Sequence, residues 1–276
     1  MIDRLIRFYV YSNLHISIAA GVFFLSSLFL FDEIDNLEYL IFITCGTYLI
    51  YNLHRIIGLK RIPIELRKNR HSIFTSSKMV QLTLFSTAVV LGIWSFLLLE
   101  SDIKLLLILP VIISLVYVIP TFKSQRARDI PYLKIFLISI TWAMFYIIPS
   151  QSLLSSDVLA IFLEKFLFIF AITIPFDLRD LEIDSTTGLK TLVHLLHPEK
   201  ALKLSASLIG MSLLVSIYLC KIEVYSMTHL IALAISYLTA ILLIMKSSKR
   251  SEFYYLAYLD GTILLQGFLI VLCYII

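Results

Sequence analysis

Long apolar stretches recur from one end of the chain to the other, near residues 14–31, 39–59, 79–99, 105–120, 135–150, 158–176, 204–220, 226–245 and 253–276. Each is about 17–25 residues long, enough to carry a helix across a hydrocarbon core of ~30 Å. The stretches are continuously rich in Leu, Ile and Phe and are separated by short polar turns. Closed barrels instead show segments of about ten residues with alternating polarity. In lipid every backbone polar group must be bonded within the protein, so continuous apolar runs read as helices. The pattern predicts an all-α, polytopic membrane protein with nine transmembrane helices over residues 1–276, as one domain.

Composition agrees. Of 276 residues 59% are hydrophobic and 15% charged, with a mean hydropathy of +0.93, against about 25% charged in soluble domains. Soluble nucleic-acid readers, secreted disulfide scaffolds and dinucleotide-binding folds are excluded, and nucleic acid is not an expected partner. Cys45, Cys220 and Cys273 all fall inside apolar runs without ligand spacing, which favours small core residues over a zinc site or disulfides. Arg4 and Arg7 precede the first run, but no small-residue cleavage pattern follows, so that run is expected to be retained as a helix.

The basic residues sort the loops. Arg4 and Arg7, then Lys60 to Lys78, Lys123 to Lys134, Arg179 to Lys203, and Lys246 to Arg250 fall on one side, leaving Lys104, Lys165 and Lys221 on the other and Arg55 inside the second run. Cytoplasmic loops retain Lys and Arg, so the N-terminus is expected inside and the C-terminus outside, in a membrane such as a bacterial inner membrane with its lipid as partner. Two segments on the basic side, residues 60–78 and 177–203, are too long and charged for plain turns and are expected to cap the bundle.

Asp177, Asp180 and Asp184 stand at i, i+3 and i+7 directly after the sixth run. If that helix continues two turns beyond the membrane, they line one stripe about 10 Å long. Such a stripe offers oxygen ligands to a hard divalent cation, with phosphate and water completing the shell. The alternative is a solvated acidic helix end, although carboxylates are unfavourable at a helix C-terminus.

The surrounding residues, Asp177-Leu-Arg-Asp180-Leu-Glu-Ile-Asp184-Ser-Thr-Thr-Gly188-Leu-Lys-Thr191-Leu192, resemble the second aspartate-rich motif of the UbiA superfamily of intramembrane prenyltransferases, D-x-x-D-x-x-x-D followed by G-x-x-T-L. An Asn near the end of the second helix, Asn52, and a segment from Tyr117 to Lys123 ending the fourth add weaker correspondences. The resemblance implies a UbiA-like helical bundle whose central cavity holds a polyprenyl diphosphate, with the tail among apolar helices and the diphosphate at the cytoplasmic mouth. It implies Mg²⁺ as cofactor on Asp177, Asp180 and Asp184, with Asp180 and Asp184 catalytic, and transfer of the prenyl group to an acceptor that the sequence does not identify.

The family's first motif, N-D-x-x-D-x-x-x-D, departs here. With Asn52 in the Asn position, the three aspartate positions become Leu53, Ile56 and Lys60, so one carboxylate cluster is missing. Three aspartates and one Mg²⁺ sum to about −1, whereas Lys60 supplies +1, so Lys60 is expected to act as a metal substitute. The expected diphosphate contacts are Asn52, Lys60, Lys123, Arg126 and Lys190. Arg55 is a further candidate, because an ionisable residue in a span is a functional candidate by default, while snorkelling to the interface is its alternative. Asp260 in the ninth span and Asn13 in the first interrupt apolar runs without an assignable role. The loss of one motif also keeps open a non-catalytic prenyl-lipid binder or scaffold, and a terpene cyclase that needs no acceptor. A transporter ranks last, because Pro110, Pro120, Pro149 and Pro175 sit at or near span ends.

Overall fold

The computed structural model describes residues 2–59, 78–120, 126–186 and 188–276. Among them the chain is helical, with α1 Ile2–Tyr11, α2 Leu14–Leu30, α3 Leu37–Leu59, α4 Lys78–Leu98, α5 Ser101–Val118, α6 Leu133–Ile147, α7 Ser156–Thr186, α8 Leu192–Leu196, α9 Pro198–Lys221, α10 Met227–Met245 and α11 Asp260–Ile275. A 3₁₀ turn, Ala127–Asp129, precedes α6, and a π-helical turn, Tyr254–Leu259, runs directly into α11. Among the described residues eight helices are long and apolar enough to cross a membrane, and a ninth span is reached when α1 and α2, bent by 66°, are counted as one broken span.

The helices α2, α3, α5, α6, α7, α9, α10 and α11 form a closed ring in which each packs on its neighbours, and α4 packs on the outside of α3. Inward faces carry the aromatic and small side chains. Outward faces keep Leu, Ile and Val exposed, as on α4, where Gln81, Ala88, Gly92 and Ser95 are the buried positions. Apolar association gains little between helices in lipid, so close approach of small residues and interhelical hydrogen bonds take over. The α7–α9 contact shows this. Pro175 lacks the N–H that would bond the carbonyl of Ala171. Ser205 of α9 donates to that carbonyl at 2.6 Å, and one heptad further Ser212 donates to the carbonyl of Glu164 at 2.9 Å.

The break between α1 and α2 is held in the same manner. Asn13 adopts a left-handed conformation with φ 67°, which ends α1 and leaves the carbonyls of its last turn to be met by side chains of α3. The Arg55 guanidinium, from α3, donates to the carbonyl of Tyr11 and to Asn13 Oδ1. Asn13 Nδ2 in turn donates to Asn52 Oδ1 at 3.1 Å, and Asn52 Nδ2 to the carbonyl of Tyr48 at 2.9 Å.

Lys165 corrects the reading of the loops. Instead of marking the outer side, it lies fully buried within α7, as does Glu164. Their side chains pair at 2.8 Å, Tyr225 and Tyr237 donate to the Glu164 carboxylate, and the ammonium sits 4.7 Å from the centroid of the Tyr146 ring. An ion pair in hydrocarbon needs this degree of satisfaction.

Candidate functional site

α7 has 31 residues, about 46 Å at 1.5 Å per residue, so it outruns a ~30 Å core and extends its last turns beyond it. Those turns carry Asp177, Asp180 and Asp184. What stops the helix is the second half of the motif. Gly188 has φ +73°, a conformation open to glycine, and the N–H groups of Gly188 and Leu189 bond back to the carbonyls of Ser185 and Asp184 at 3.3 and 2.9 Å. This pattern is a Schellman cap. Thr191 then starts α8, paired with His194, whose Nδ1 accepts the Thr191 N–H at 3.3 Å. The G-x-x-T-L spacing therefore builds a tight corner that folds α8 back on α7, with Val193 buried between them.

Beside these turns lies a cavity of about 510 Å³. One end is polar, lined by Arg55, Arg126, Arg128, Lys134, Arg179, Asp180 and Asp184; further in, the walls are Ile138, Thr141, Trp142, Thr173 and Phe176. Lys134 and Trp142 are eight residues apart on α6, so this apolar length is about 12 Å. Trp142 closes it, packed at 5.5 Å on Phe24 and 6.0 Å on Phe23 by ring centroids. A charged mouth over an apolar shaft suits an amphiphile with an anionic head.

The three aspartates do not act alike. Asp177 is 1% exposed and absent from the cavity wall, with Oδ1 accepting from Lys134 Nζ at 2.6 Å. Asp180 and Asp184, one turn apart, both line the cavity. Arg179 holds Asp180 in a two-bond fork at 2.9 and 2.6 Å, and Lys134 Nζ lies 3.9 Å from Asp184 Oδ2. No three His, Cys, Asp or Glu among the described residues form a metal-holding group. Magnesium is commonly held by one or two carboxylates together with phosphate oxygens. The oxygen-only pair Asp180 and Asp184 fits one such ion, and the third ligand expected from the spacing is instead the counter-charge of Lys134.

The basic residues redistribute as well. Arg126 lines the cavity, but Asp129 clasps it, with Nε to Oδ2 at 3.1 Å and Nη2 to Oδ1 at 2.8 Å. Burial pushes the Asp129 carboxyl up, and the bonds from Arg126 more than reverse this, leaving it below the usual carboxylate value. Lys190 is exposed and is not on the cavity wall; its carbonyl accepts the N–H of Tyr132 at 3.1 Å. Lys60 and Lys123 lie outside the described residues. Asn52 is buried in the α1–α2 brace and does not line the cavity.

Two residues gain importance over the sequence reading. The α3 face that lines the cavity carries Tyr51, His54, Arg55 and Gly58, whereas Ile56, assigned above to an aspartate position, is 37% exposed. The i, i+3, i+7 set on the cavity wall is Tyr51, His54 and Gly58, two residues before the positions of the motif alignment, and Arg55 stands on the same wall. Arg128 was passed over as a loop cation. It is 9% exposed on that wall, 5.4 Å from the Tyr117 ring. Burial opposes its charge, and Tyr117 with the carboxylates of Asp184, Asp180 and Asp129 outweighs burial, raising its pKa. Asn13 and Asp260, without a role in the sequence, line the same cavity.

No family model matches the chain, and a search of curated proteins finds no relative. Solved structures do match. A UbiA homologue from Aeropyrum pernix K1 superposes with a TM-score of 0.64 at 15% identity, covering 94% of this chain and 96% of that one. A UbiA homologue from Archaeoglobus fulgidus bound to GPP and Mg²⁺ gives 0.63 at 13% identity over 96% and 99%. A digeranylgeranylglyceryl phosphate synthase gives 0.56 at 14% identity over 99% and 98%. The chain has the fold of these multi-pass membrane proteins along nearly its whole length.

Proposed function

We propose that this chain is a divergent UbiA-type protein that binds a polyprenyl diphosphate, with its head among the charged residues at the end of α7 and its tail in the apolar shaft, and transfers the prenyl group to an acceptor. The observation that carries this reading is the placement of Asp180 and Asp184 with four cations, Arg55, Arg128, Lys134 and Arg179, around the mouth of a shaft closed by Trp142. Solved proteins of the same fold carry GPP or DMAPP with Mg²⁺.

In this reading the allylic carbon–oxygen bond breaks as negative charge gathers on the departing diphosphate. Preorganised cations aimed at that charge lower the barrier without reorganising in the reaction. Arg128 and Lys134 donate to the phosphate oxygens, and Asp177 holds the Lys134 ammonium in place from behind. A magnesium ion on Asp180 and Asp184, when bound, supplies Lewis-acid neutralisation of the same charge. The aromatic ring of Phe176, on the wall one residue before Asp177, stabilises the allylic cation, and the apolar walls deeper in keep water from it. Asp260 forms no ion pair or hydrogen bond among the described residues, and its carboxylate is the candidate base for the proton that the acceptor loses as its bond to the prenyl carbon forms.

The neutralisation of Asp177, Asp180 and Asp184 by the chain's own cations favours a second reading, a prenyl-diphosphate binder that does not turn over. One experiment separates the two. Purified protein in detergent is incubated with labelled farnesyl and geranylgeranyl diphosphates, with and without Mg²⁺, and both retention and diphosphate release are followed. Magnesium-dependent release that disappears in Asp184→Asn supports the transferase. Retention without release supports the binder, and absence of both in the folded protein overturns the assignment of the ligand.

A further inference from the structure

We infer that Arg55 and Arg128 form a guanidinium clamp for one phosphate of the head group, so that this site uses a single divalent ion on Asp180 and Asp184. The inference rests on the diphosphate reading above and assigns its second anion-binding wall.

Arg128 carries the first part of the argument. It sits on the 3₁₀ turn Ala127–Asp129, nine-tenths buried and facing the cavity, and makes no hydrogen bond to any described residue; its Nε is a buried donor without an acceptor. The Tyr117 ring at 5.4 Å steadies the guanidinium plane but accepts none of its N–H groups in the usual sense. A buried donor left unsatisfied costs roughly 1–3 kcal/mol, and an always-charged group with five donors is an expensive one to leave so. Acceptor oxygens arriving in the cavity complete it.

Arg55 supplies the second arm by a different route. It donates to the Tyr11 carbonyl and to Asn13 Oδ1, and the chain Arg55–Asn13–Asn52 is closed by the 3.1 Å bond between the two asparagines. This brace fixes the guanidinium on the cavity wall while it also satisfies the broken α1–α2 backbone. Asn52 is thereby a positioning residue acting through Arg55, not a ligand.

The chemistry of the two walls is complementary. The α7 wall offers carboxylates that need a cation to meet a phosphate. The α3 and 3₁₀ wall offers none in contact with the cavity except Asp129, which is engaged by Arg126, so its net charge toward a phosphate is positive without any metal. Guanidinium groups match phosphate oxygens in parallel pairs of bonds and stay charged at every working pH.

The test counts metal ions and needs no turnover. Mn²⁺ replaces magnesium as an EPR probe, and the ligand is the unreactive analogue of farnesyl diphosphate with sulfur in place of the ester oxygen. The wild-type protein is expected to bind one Mn²⁺ per ternary complex. Arg128→Gln is expected to weaken the analogue at least tenfold at saturating Mn²⁺ while leaving the binding of farnesol, which lacks phosphate, within twofold. Because Arg55 also braces the fold, it is tested as Arg55→Lys, which keeps the charge and loses the fork, and a drop of several-fold is expected. Two Mn²⁺ in the wild-type complex, or Arg128→Gln binding the analogue as wild type does, overturns the clamp and leaves the diphosphate reading standing. Wild type that binds farnesol and not the analogue overturns both.

Discussion

Lys134 Nζ stands 2.6 Å from Asp177 Oδ1 and 3.9 Å from Asp184 Oδ2, so one ammonium from α6 joins the first and last carboxylates of the α7 stripe. Its side chain is 9% exposed and that of Asp177 1%, which puts the pair in the regime where removing one partner strands a buried charge. Asp177→Asn is expected to lower stability by about 3–5 kcal/mol. The double variant Lys134→Met, Asp177→Leu is expected to recover part of that loss, because the 2.6 Å pair is removed together while Asp184 loses the ammonium 3.9 Å away. Thermal unfolding of the purified single and double variants measures the difference. An additive double variant would show that the two side chains do not act as a pair.

Gly267 marks a close crossing of α11 on α2. A Cβ there would lie 2.6 Å from the Phe23 nitrogen and Cα and from the Val22 carbonyl oxygen, all backbone atoms that cannot rotate aside. Gly267→Ala is therefore expected to force α11 away from α2, at a cost of about 1–3 kcal/mol, and to lower the midpoint of thermal unfolding. Gly46→Ala, where nothing lies within 4 Å, is the matched control and is expected to leave it unchanged.

The two halves of the site were not equally legible in the sequence. The run from Asp177 to Leu192 could be read because its information is local. Carboxylate spacing, the Gly188 cap and the Thr191 start of α8 lie within sixteen consecutive residues, and each has its physical reason in backbone geometry. On the opposite wall, the cavity face of α3 lies two residues before the positions of the motif alignment. Two steps along a helix turn a side chain by about 200°, to the opposite face, and in a membrane helix both faces are apolar, so nothing in the pattern tells the cavity face from the lipid face. The residue that does tell them apart, Arg55, stood in the sequence only as a further candidate beside snorkelling, because Asn52 was taken as the anchor of the motif. Asn52 instead anchors Asn13, a contact across 39 residues that local spacing does not carry.

Other features were legible only as anomalies. Lys165 was counted with the outer loops because a lone cation near a run boundary looks like a loop residue; the adjacent Glu164 was the signal that the pair neutralises itself inside the span. Asn13 broke an apolar run for a reason that became visible with the 66° bend between α1 and α2. The span boundaries themselves agree to within a few residues, apart from α7 and α9, whose polar ends extend well past their apolar cores.

Asp129 gives the mouth a defined acid response. Its folded pKa lies below the ordinary value of about 3.9, through Arg126 acting against burial. A carboxylate depressed in this way contributes stability above its unfolded pKa and loses it as pH falls through the folded one. The stability gap between wild type and Asp129→Asn is thus expected to be constant from neutral pH to about pH 5, and to close below about pH 4. Melting curves across that range measure it, and a gap that closes near neutrality would place its origin in another group.

Trp142 sets the depth of the shaft. It lines the cavity eight residues beyond Lys134 and rests on Phe23 and Phe24, while Tyr146 packs on Phe23 at 4.8 Å and beneath it lies the Lys165 ammonium. The floor is thus an aromatic layer that cannot sink further, since the next layer is a buried ion pair. Trp142→Ala removes the upper part of that layer and extends the shaft without reaching the Lys165 pair. A longer chain then gains buried CH₂ groups at about 0.8 kcal/mol each, whereas a chain that already fits gains nothing and loses contact with the indole. The expected result is a shift of preference from farnesyl toward geranylgeranyl diphosphate by tenfold or more, read as the ratio of dissociation constants. Loss of both ligands to the same extent would mean that the tail does not run down this shaft.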